Sequence, residues 1–367
     1  MSKSFYSLGL MSGTSMDGVD ASIIQSDGEN NYKAIKDKYF AYPKYIHVDL
    51  INIRNQIKHP KDLKKLSKKL KFLEKKITLF HFKVVKETLK STKINIDLLG
   101  FHGQTIYHNA KKKISKQLGD GRLLSKLAKK KVIYNFRMKD LKNDGQGAPL
   151  VPIFHKMLEK KFNLKPVSFI NIGGIVNITT ISNNNLFASD IGPGMCLIDK
   201  WIRLKSKKKF DRGGRIARSG KIKNKILNKE VKNFYKKYIF NNKPKSFDTK
   251  DFDLSFVKDF SLKDGTATLV EYTAKIISKG LYSDLISSKK KIIILCGGGR
   301  KNKFLISRIK KKNNNIKFID DYGLNGDFIE SQAFAYLAIR SYLNKPISFP
   351  KTTGVKKPCS GGVIVKY

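Results

Sequence analysis

The stretch Gly9 to Asp20, Gly-Leu-Met-Ser-Gly-Thr-Ser-Met-Asp-Gly-Val-Asp, most narrows what this chain can become. Apolar and β-prone residues flank it: Phe5, Tyr6 and Leu8 before, Val19, Ala21, Ile23 and Ile24 after. That pattern predicts two short strands joined by a turn of small residues. The turn holds Gly13 and Gly18, the hydroxyls of Thr14 and Ser15, and the Asp17 carboxylate. Such a turn directs backbone N–H groups and hydroxyls towards one point, which suits a polyphosphate, and Asp17 is placed to hold its Mg²⁺ through water. It is not a Walker A loop, because no Gly-Lys-Ser/Thr follows and a strand comes next instead of a helix. A plain β-hairpin with a long turn satisfies the same spacing.

The chain has 367 residues, room for two domains with their own cores, and 40% of them are apolar, as in globular proteins. No run approaches the roughly 18 apolar residues of a membrane span. The first strand starts too early to leave space for a signal peptide. Cys196, Cys296 and Cys359 are far apart without metal spacing, so reduced thiols in a cytoplasm are expected. The net charge of +46 comes from 75 Lys and Arg against 29 Asp and Glu, and only 10 of the 75 are Arg. The Lys runs are dispersed along the chain, whereas nucleic-acid readers lean on Arg for base edges and stacking. The charge therefore reads as a solvated surface, with non-specific, salt-sensitive attraction as its only consequence for nucleic acid.

In chain order, Tyr39–Tyr42 is a candidate third strand ended by Pro43. Leu63, Leu66, Leu70, Leu73, Ile77, Phe80 and Val84 recur at three- and four-residue steps, predicting a long helix whose stripe is core packing without chemistry. Strands are expected at Ile96–Phe101 and Lys131–Phe136, with His102-Gly103-Gln104-Thr105 and Arg137-Met138-Lys139-Asp140 at their ends, where open α/β sheets place ligands. A turn at Gly145–Pro149 precedes a helix starting near Pro149. A second unit from Pro166 repeats the plan: strands at Val167–Asn171 and Val176–Ile181 around Gly173-Gly174, then Leu186–Ser189 ending at Asp190. The two hairpins lie about 160 residues apart, a spacing that suggests duplication. Helices are expected at roughly 194–205, 221–239, 264–286 and 327–343. A strand at Lys291–Cys296 breaks into Gly297-Gly298-Gly299 and a helix near Asn302, where a nucleotide can lie against backbone; a tight turn alone also accounts for these glycines. Ile316–Ile319 is the last strand, and Glu330 is read as partner of Asp327 in a capping box.

Two strand-hairpin-strand domains with Gly-rich turns suit an α/β fold of two ribonuclease-H-like domains around an interdomain nucleotide cleft, as in the actin, Hsp70 and sugar-kinase superfamily. The boundary is expected at 145/146, with the C-terminal tail packing back on the first domain. Seven segments sharpen the resemblance: residues 9–20, Gly-Phe-His-Gly-Gln-Thr (100–105), Gln-Leu-Gly-Asp-Gly (117–121), Gly-Gln-Gly-Ala-Pro-Leu-Val-Pro (145–152), Asn-Ile-Gly-Gly-Ile-Val-Asn (171–177), Asp-Ile-Gly-Pro-Gly (190–194) and Cys-Gly-Gly-Gly (296–299). In this order they resemble the anhydro-N-acetylmuramic acid kinases over essentially the whole chain.

The resemblance implies an ATP- and Mg²⁺-dependent enzyme of peptidoglycan recycling. Water opens the 1,6-anhydro bridge at C1 and the freed O6 takes the γ-phosphoryl group. It makes Asp190 the general base. ATP is assigned to Gly13, Thr14, Ser15, Met16, Asp17, Gly18, Val19, Asp20, Gly192, Gly297, Gly298 and Gly299. The sugar is assigned to Gln104, Arg137, Asp140, Asn171 and Asn177, and the metal to Asp17 and, through water, Asp190. Ile191 and Met195 stand where the family pattern has Thr and Asn. A domain-interface ion pair is the other role for Arg137 and Asp140, turn closure for Asn171 and Asn177, and a structural role is expected of His102. No membrane and no specific nucleic acid are expected as partners, and a homodimer stays open. Another sugar or carboxylate kinase of this fold and a non-catalytic ATP switch are the rival readings.

Overall fold

Alternating apolar residues on both sides of the opening turn do form a hairpin. In the computed structural model β1 (Phe5–Ser12) and β2 (Gly18–Ser26) pair antiparallel from Phe5↔Ser26 to Met11↔Asp20. The structure describes residues 3–90, 92–183, 185–238, 244–282, 291–311, 313 and 315–367. β3 (Tyr32–Ala41) starts well before the expected Tyr39, because its Lys-rich sequence suits a sheet edge better than a core. Helix α1 (Lys44–Gln56) follows Pro43, a helix the periodicity did not disclose. The long apolar stripe becomes α2 (Pro60–Lys65) and α3 (Ser67–Lys90), broken at Leu66. Leu70, Leu73, Ile77 and Val84 of the stripe are buried in the first core.

Strand β4 (Leu98–Asn109) corrects one expectation: it continues through His102–Thr105, so this cluster lies inside a strand and not at its end. Gly103, at φ +73°, allows the bulge that accommodates this, since a Cβ there would sit 2.5 Å from the Leu118 carbonyl oxygen. β5 (Ile114–Leu118) returns along β4, and Asp120 caps α4 (Gly121–Ala128) by accepting from the Arg122 and Leu123 N–H groups. β6 (Lys131–Tyr134) leads into α5 (Met138–Lys142), and α6 starts at Pro152, not Pro149, and runs to Phe162.

The second sheet is built from β7 (Val167–Ile172), β8 (Ile175–Ser182), β9 (Asn185–Pro193), β10 (Ile292–Cys296) and β11 (Ile316–Phe318). β9 is longer than expected and contains Asp190 instead of ending before it. Between β9 and β10 lie α7 (Cys196–Lys205), α8 (Arg215–Arg218), α9 (Asn224–Lys237) and α10 (Leu262–Tyr282). The expected ends of the last two, at 239 and 286, fall outside the described residues. α11 (Lys303–Lys310) is capped by Asn302. The chain closes with α12 (Ile329–Tyr342), α13 (Pro350–Thr353) and β12 (Val363–Val365). Among the described residues no helix is long and apolar enough to cross a membrane.

The strand orders are β12-β6-β4-β1-β2-β3, with β5 on β4, and β11-β10-β7-β8-β9. In each sheet three antiparallel strands are followed, on the other side of the first strand, by two strands parallel to it, and in the first sheet β12 then pairs antiparallel with β6. With β5 and β12 of the first sheet set aside, the shared order is 3-2-1-4-5, the ribonuclease-H-like arrangement of the actin, Hsp70 and sugar-kinase folds. The chain divides into Met1–Asn163 with Phe328–Tyr367, and Leu164–Asp327. This differs from the expected 1–145 and 146–367: α6 stays with the first unit, and residues from Phe328 onward return to it.

That return explains two glycines. A Cβ on Gly9 would lie 2.0 Å from the Ser331 carbonyl oxygen, and one on Gly100 would lie 2.3 Å from that of Phe334. Backbone of α12 therefore rests on backbone of β1 and β4. Ser22 Oγ pairs with Ser331 Oγ at 2.6 Å, and Tyr32 donates to Gln332, which donates to Asp37. Burial pushes the Asp37 carboxyl up, against the Ser22 and Gln332 hydrogen bonds. Substituting Gly9→Ala is expected to lower the unfolding free energy by about 2–3 kcal/mol, since backbone cannot give way as a side chain can. Urea midpoints at constant m-value measure it, and an unchanged midpoint refutes the close packing.

Candidate active site

The turn between β1 and β2 is held from behind through its carbonyls. The Gly13 carbonyl accepts from Gln104 Nε2 (2.9 Å) and from the Met16 N–H (3.2 Å). Arg54 Nη1 donates to the Thr14 carbonyl at 3.2 Å, and His47 Nδ1 to that of Met16 at 2.7 Å. Asp17 O accepts from the Tyr42 N–H (2.8 Å) and the Tyr39 hydroxyl (3.0 Å). In a trans peptide the C=O and the following N–H point oppositely. With these carbonyls tied into the protein, the N–H groups of Thr14, Ser15 and Asp17 are turned the other way, as an anion cradle requires.

The side chains follow the same division. Met16, at φ +59°, is anchored by its buried side chain, whereas Thr14, Ser15 and Asp17 are exposed. Ser15 Oγ donates to Asp17 Oδ1 at 2.7 Å. Gly18 and Val19 are buried at the start of β2, and Asp20 is half-buried. Gly18 has a packing reason: a Cβ would sit 2.4 Å from the Phe40 carbonyl oxygen. Arg54, His47 and Gln104 lie 40, 31 and 91 residues from their partners in the turn, and only Gln104 stood out in the sequence. Its register opposite Ser12, the last residue of β1, explains its reach.

Below the turn, α3 has a role that its core stripe did not announce. His81 Nδ1 donates to the Ile77 carbonyl (2.8 Å), which leaves Nε2 to accept from Ser12 Oγ (3.3 Å). Ser12 Oγ then accepts from the Tyr42 hydroxyl at 2.9 Å. Burial lowers the His81 pKa to about 4, so the ring is neutral, as this pattern demands.

Gln104 is buried, with Oε1 lacking a hydrogen-bond partner among the described residues. Arg137 is half-buried, and its Nε and Nη2 donate to His102 Nε2 at 3.2 and 3.0 Å while Nη1 donates to the Gly147 carbonyl at 2.8 Å. Burial and the neighbouring guanidinium hold the His102 pKa well below its ordinary value. Asp140 is buried and accepts from the Gly147 N–H at 2.5 Å. Burial pushes its carboxyl up, against nearby Thr353 and Ser348 hydroxyls, the Gly147 N–H and Arg137. Arg137 and Asp140 thus organise the Gly145–Gly147 turn within the first unit.

In the second unit the expected residues form a row. Asn171 faces Cys296 on one side and Asn177 on the other, and Asn177 faces Asp190. Cross-strand partners share a sheet face, so Asn171, Asn177 and Asp190 present their side chains together. Asp190 is buried and its Oδ2 accepts from the Phe247 N–H at 2.8 Å. Gly192, at φ +153°, is buried where a Cβ would meet Ile276 Cγ2 at 2.7 Å, so its lack of a side chain makes room for α10. Ile191 is likewise buried in the second core, an apolar role for the position that departs from the family pattern.

The Gly297–Gly299 turn is mixed. Gly297 (φ +80°) and Gly299 approach Asn171 and Ile172 too closely for a Cβ, whereas Gly298 is exposed with open space beside it. Arg300 fixes this turn: Nη1 donates to the Gly297 carbonyl, and its guanidinium is paired with Asp320 and Asp327. Those partners raise the Arg300 pKa against the effect of burial. Asp327, engaged with Arg300 and Lys301, is not the cap of α12; Phe328 occupies that place without a side-chain bond, which corrects the capping-box reading of Glu330.

Two outcomes follow from these bonds. Replacing Gln104 by Leu removes the donor to Gly13 and is expected to raise the ATP Kd about tenfold, from the loss of one bracing hydrogen bond. Calorimetric titration checks this, and an unchanged Kd contradicts the bracing role. His81, His102 and His155 are buried with lowered pKa values, about 4 for His81 and about 3 for His155. An unfolded chain takes up their protons below pH 6.5 while the folded chain does not, so stability is lost as pH falls from 6.5 towards 4. Each contributes about 1.4 kcal/mol per pH unit in that window. Urea unfolding at pH 7, 6 and 5 measures the slope, and His81→Gln is expected to reduce it by one proton equivalent.

A family model described as anhydro-N-acetylmuramic acid kinase matches residues 5–367. The chain is 55% identical over 375 aligned residues to the anhydro-N-acetylmuramic acid kinase of Pelagibacter ubique (strain HTCC1062), covering 100% of both chains. The enzyme of that name from Zymomonas mobilis subsp. mobilis is 37% identical, with 97% of this chain and 98% of the relative covered. The one from Brucella canis is 35% identical, with 98% of each covered. The chain belongs to the anhydro-N-acetylmuramic acid kinase family.

Proposed function

We propose that this chain converts 1,6-anhydro-N-acetylmuramic acid, ATP and water into N-acetylmuramic acid 6-phosphate and ADP, as a cytoplasmic enzyme of peptidoglycan recycling. The observation that carries the reading is identity of 55% to a relative of that activity over the full length. In the proposed reaction Asp190 takes a proton from water as its oxygen bonds to C1 of the sugar. The C1–O6 bond breaks and O6 takes the γ-phosphoryl group, with ADP leaving. Ordinary glycosidases use a second carboxyl to protonate the leaving oxygen. Here phosphorus receives the developing charge on O6, so one carboxylate suffices.

The N–H groups of Thr14, Ser15 and Asp17 are assigned to the ATP phosphates, with the Ser15 and Thr14 hydroxyls beside them. Gly298, the open member of its turn, is assigned to the nucleotide. Asp17 fits Mg²⁺, which takes one or two carboxylates together with phosphate oxygens and water. When bound, that ion neutralises charge on the phosphates. Asn171, Asn177 and Gln104 are assigned to the sugar, the last through its Oε1. Arg137 and Asp140 serve that site by shaping the Gly145–Gly147 turn. Free thiols at Cys196, Cys296 and Cys359 suit the cytoplasm.

The test incubates protein with Mg-ATP and 1,6-anhydro-N-acetylmuramic acid in ¹⁸O water. Label on the anomeric hydroxyl of a 6-phosphorylated product is the expected result. Activity on a free sugar alone supports a different kinase of this fold, and ATP hydrolysis without phosphorylated sugar supports a switch protein. Substituting Asp190→Asn is expected to cost about 10²–10⁴-fold in turnover while ATP affinity stays within a few-fold. Full turnover in that variant removes Asp190 from the mechanism.

A further inference from the structure

Among the described residues β9 is the outer strand of its sheet, with β8 on one side. An open edge leaves backbone groups of the strand without partners. Residues Lys245 to Phe247 occupy part of that edge. The Asp190 N–H donates to the Lys245 carbonyl at 3.0 Å, and the Lys245 N–H donates to Ser189 Oγ at 3.0 Å. The Ser189 hydroxyl donates to the Asp190 carbonyl at 3.0 Å. Two residues on, the Phe247 N–H reaches the Asp190 carboxylate itself.

The segment is fixed by its own aromatic ring. Phe247 meets Tyr238 edge-on at 5.0 Å between centroids and Phe252 at 5.4 Å. Phe234 joins both rings, at 5.0 and 6.3 Å, and also packs where a Cβ on Gly192 would lie, at 3.1 Å. One aromatic cluster thus supports both the strand carrying Asp190 and the segment bonded to its side chain.

We infer that the peptide N–H of Phe247 is a positioning group for the Asp190 carboxylate, held in place by the Phe247 ring among Tyr238 and Phe252. The inference rests on the reading of Asp190 as the base. An aspartate side chain has two soft torsions, and a charge-assisted bond to one oxygen selects a single orientation for the other. A base must lie within hydrogen-bond reach of the water it activates, and small misplacements are costly in rate.

The test replaces Phe247 by its α-hydroxy acid analogue, which changes the peptide N–H to an ester oxygen and keeps the ring. The expected result is a fall in kcat of roughly ten- to a hundredfold, from loss of a hydrogen bond to a charged group. KM for the sugar and the ATP Kd stay within about twofold, as loss of one transition-state interaction requires. Phe247→Tyr, which keeps both N–H and ring, is expected to retain kcat. Unchanged kcat in the ester variant overturns the inference. So does a fall in kcat accompanied by an equal loss of ATP affinity, because that marks general loosening of the unit. Asp190→Asn separates the two readings. Its full turnover defeats the assignment of the base, whereas its loss beside a fully active ester variant defeats the role of Phe247 alone.

Discussion

Contact between the backbone of α12 and the glycines of β1 and β4 is the constraint on which the first unit depends. Gly9 and Gly100 leave no room for a Cβ beneath Ser331 and Phe334. Leu8, Leu10, Leu99 and Phe101 alternate with these glycines and face the other side of the sheet, in the core with Leu70, Leu73 and Ile77 of α3. Polar pins add to the contact with α12: Ser22 with Ser331, Gln332 with Tyr32 and Asp37, and Arg340 with the Gly28 carbonyl. Since α12 belongs to the last part of the chain, β1 is packed at Gly9 against residues more than 300 positions away, Ser331 and Ala335. Two segments of the family's motifs, at 9–20 and 100–105, therefore contain glycines whose reason is packing.

The two sheets share a strand order yet use their first hairpin turns in opposite ways. In the second unit the Gly173 and Gly174 carbonyls accept from the N–H groups of Gly194, Met195 and Cys196. The Met195 and Cys196 N–H groups are ones a helix leaves unpaired at its start, so this turn is spent on capping α7. In the first unit the corresponding carbonyls take donors from Gln104, Arg54, His47, Tyr39 and Tyr42. The helix that follows the third strand here, α1, meets this turn through the His47 and Arg54 side chains and not through its first N–H groups. Duplicated topology thus leaves two turns with different hydrogen-bond partners, one bonded to the start of α7 and one held through its carbonyls by side chains.

Elements with a strong period were legible in the sequence: the opening hairpin, the strands of the second unit, the stripe in α3 and the apolar α12. Others were hidden for identifiable reasons. β5 carries half-buried Lys116 and Gln117, and β3 carries exposed Lys33 and Lys38 with half-buried Lys36, so alternation is weak. Polar residues continue inside β4 and β9, which made both strands look shorter than they are. For the site, the residue types were legible but their support was not. Asn171, Asn177 and Asp190 were separate words, and only register across β7, β8 and β9 aligns them. His81 was lost in a core stripe, and its contact with Ser12 depends on the distance between a helix and a strand end.

Support of this kind also bears on why a base would reside in a strand. A carboxylate on a loop needs the loop ordered before it can be aimed. Asp190 has its backbone paired to β8 on one side and to Lys245 on the other, so little of its main chain is left to move. Such saturation of an edge strand normally serves to prevent pairing with another chain. Here the covering segment carries a donor to the side chain as well, and an aromatic cluster keeps that segment in register. A single interaction surface therefore protects the edge and aims the acid. The polar row of the second unit then differs from an ordinary sheet surface by the fixed orientation of one member.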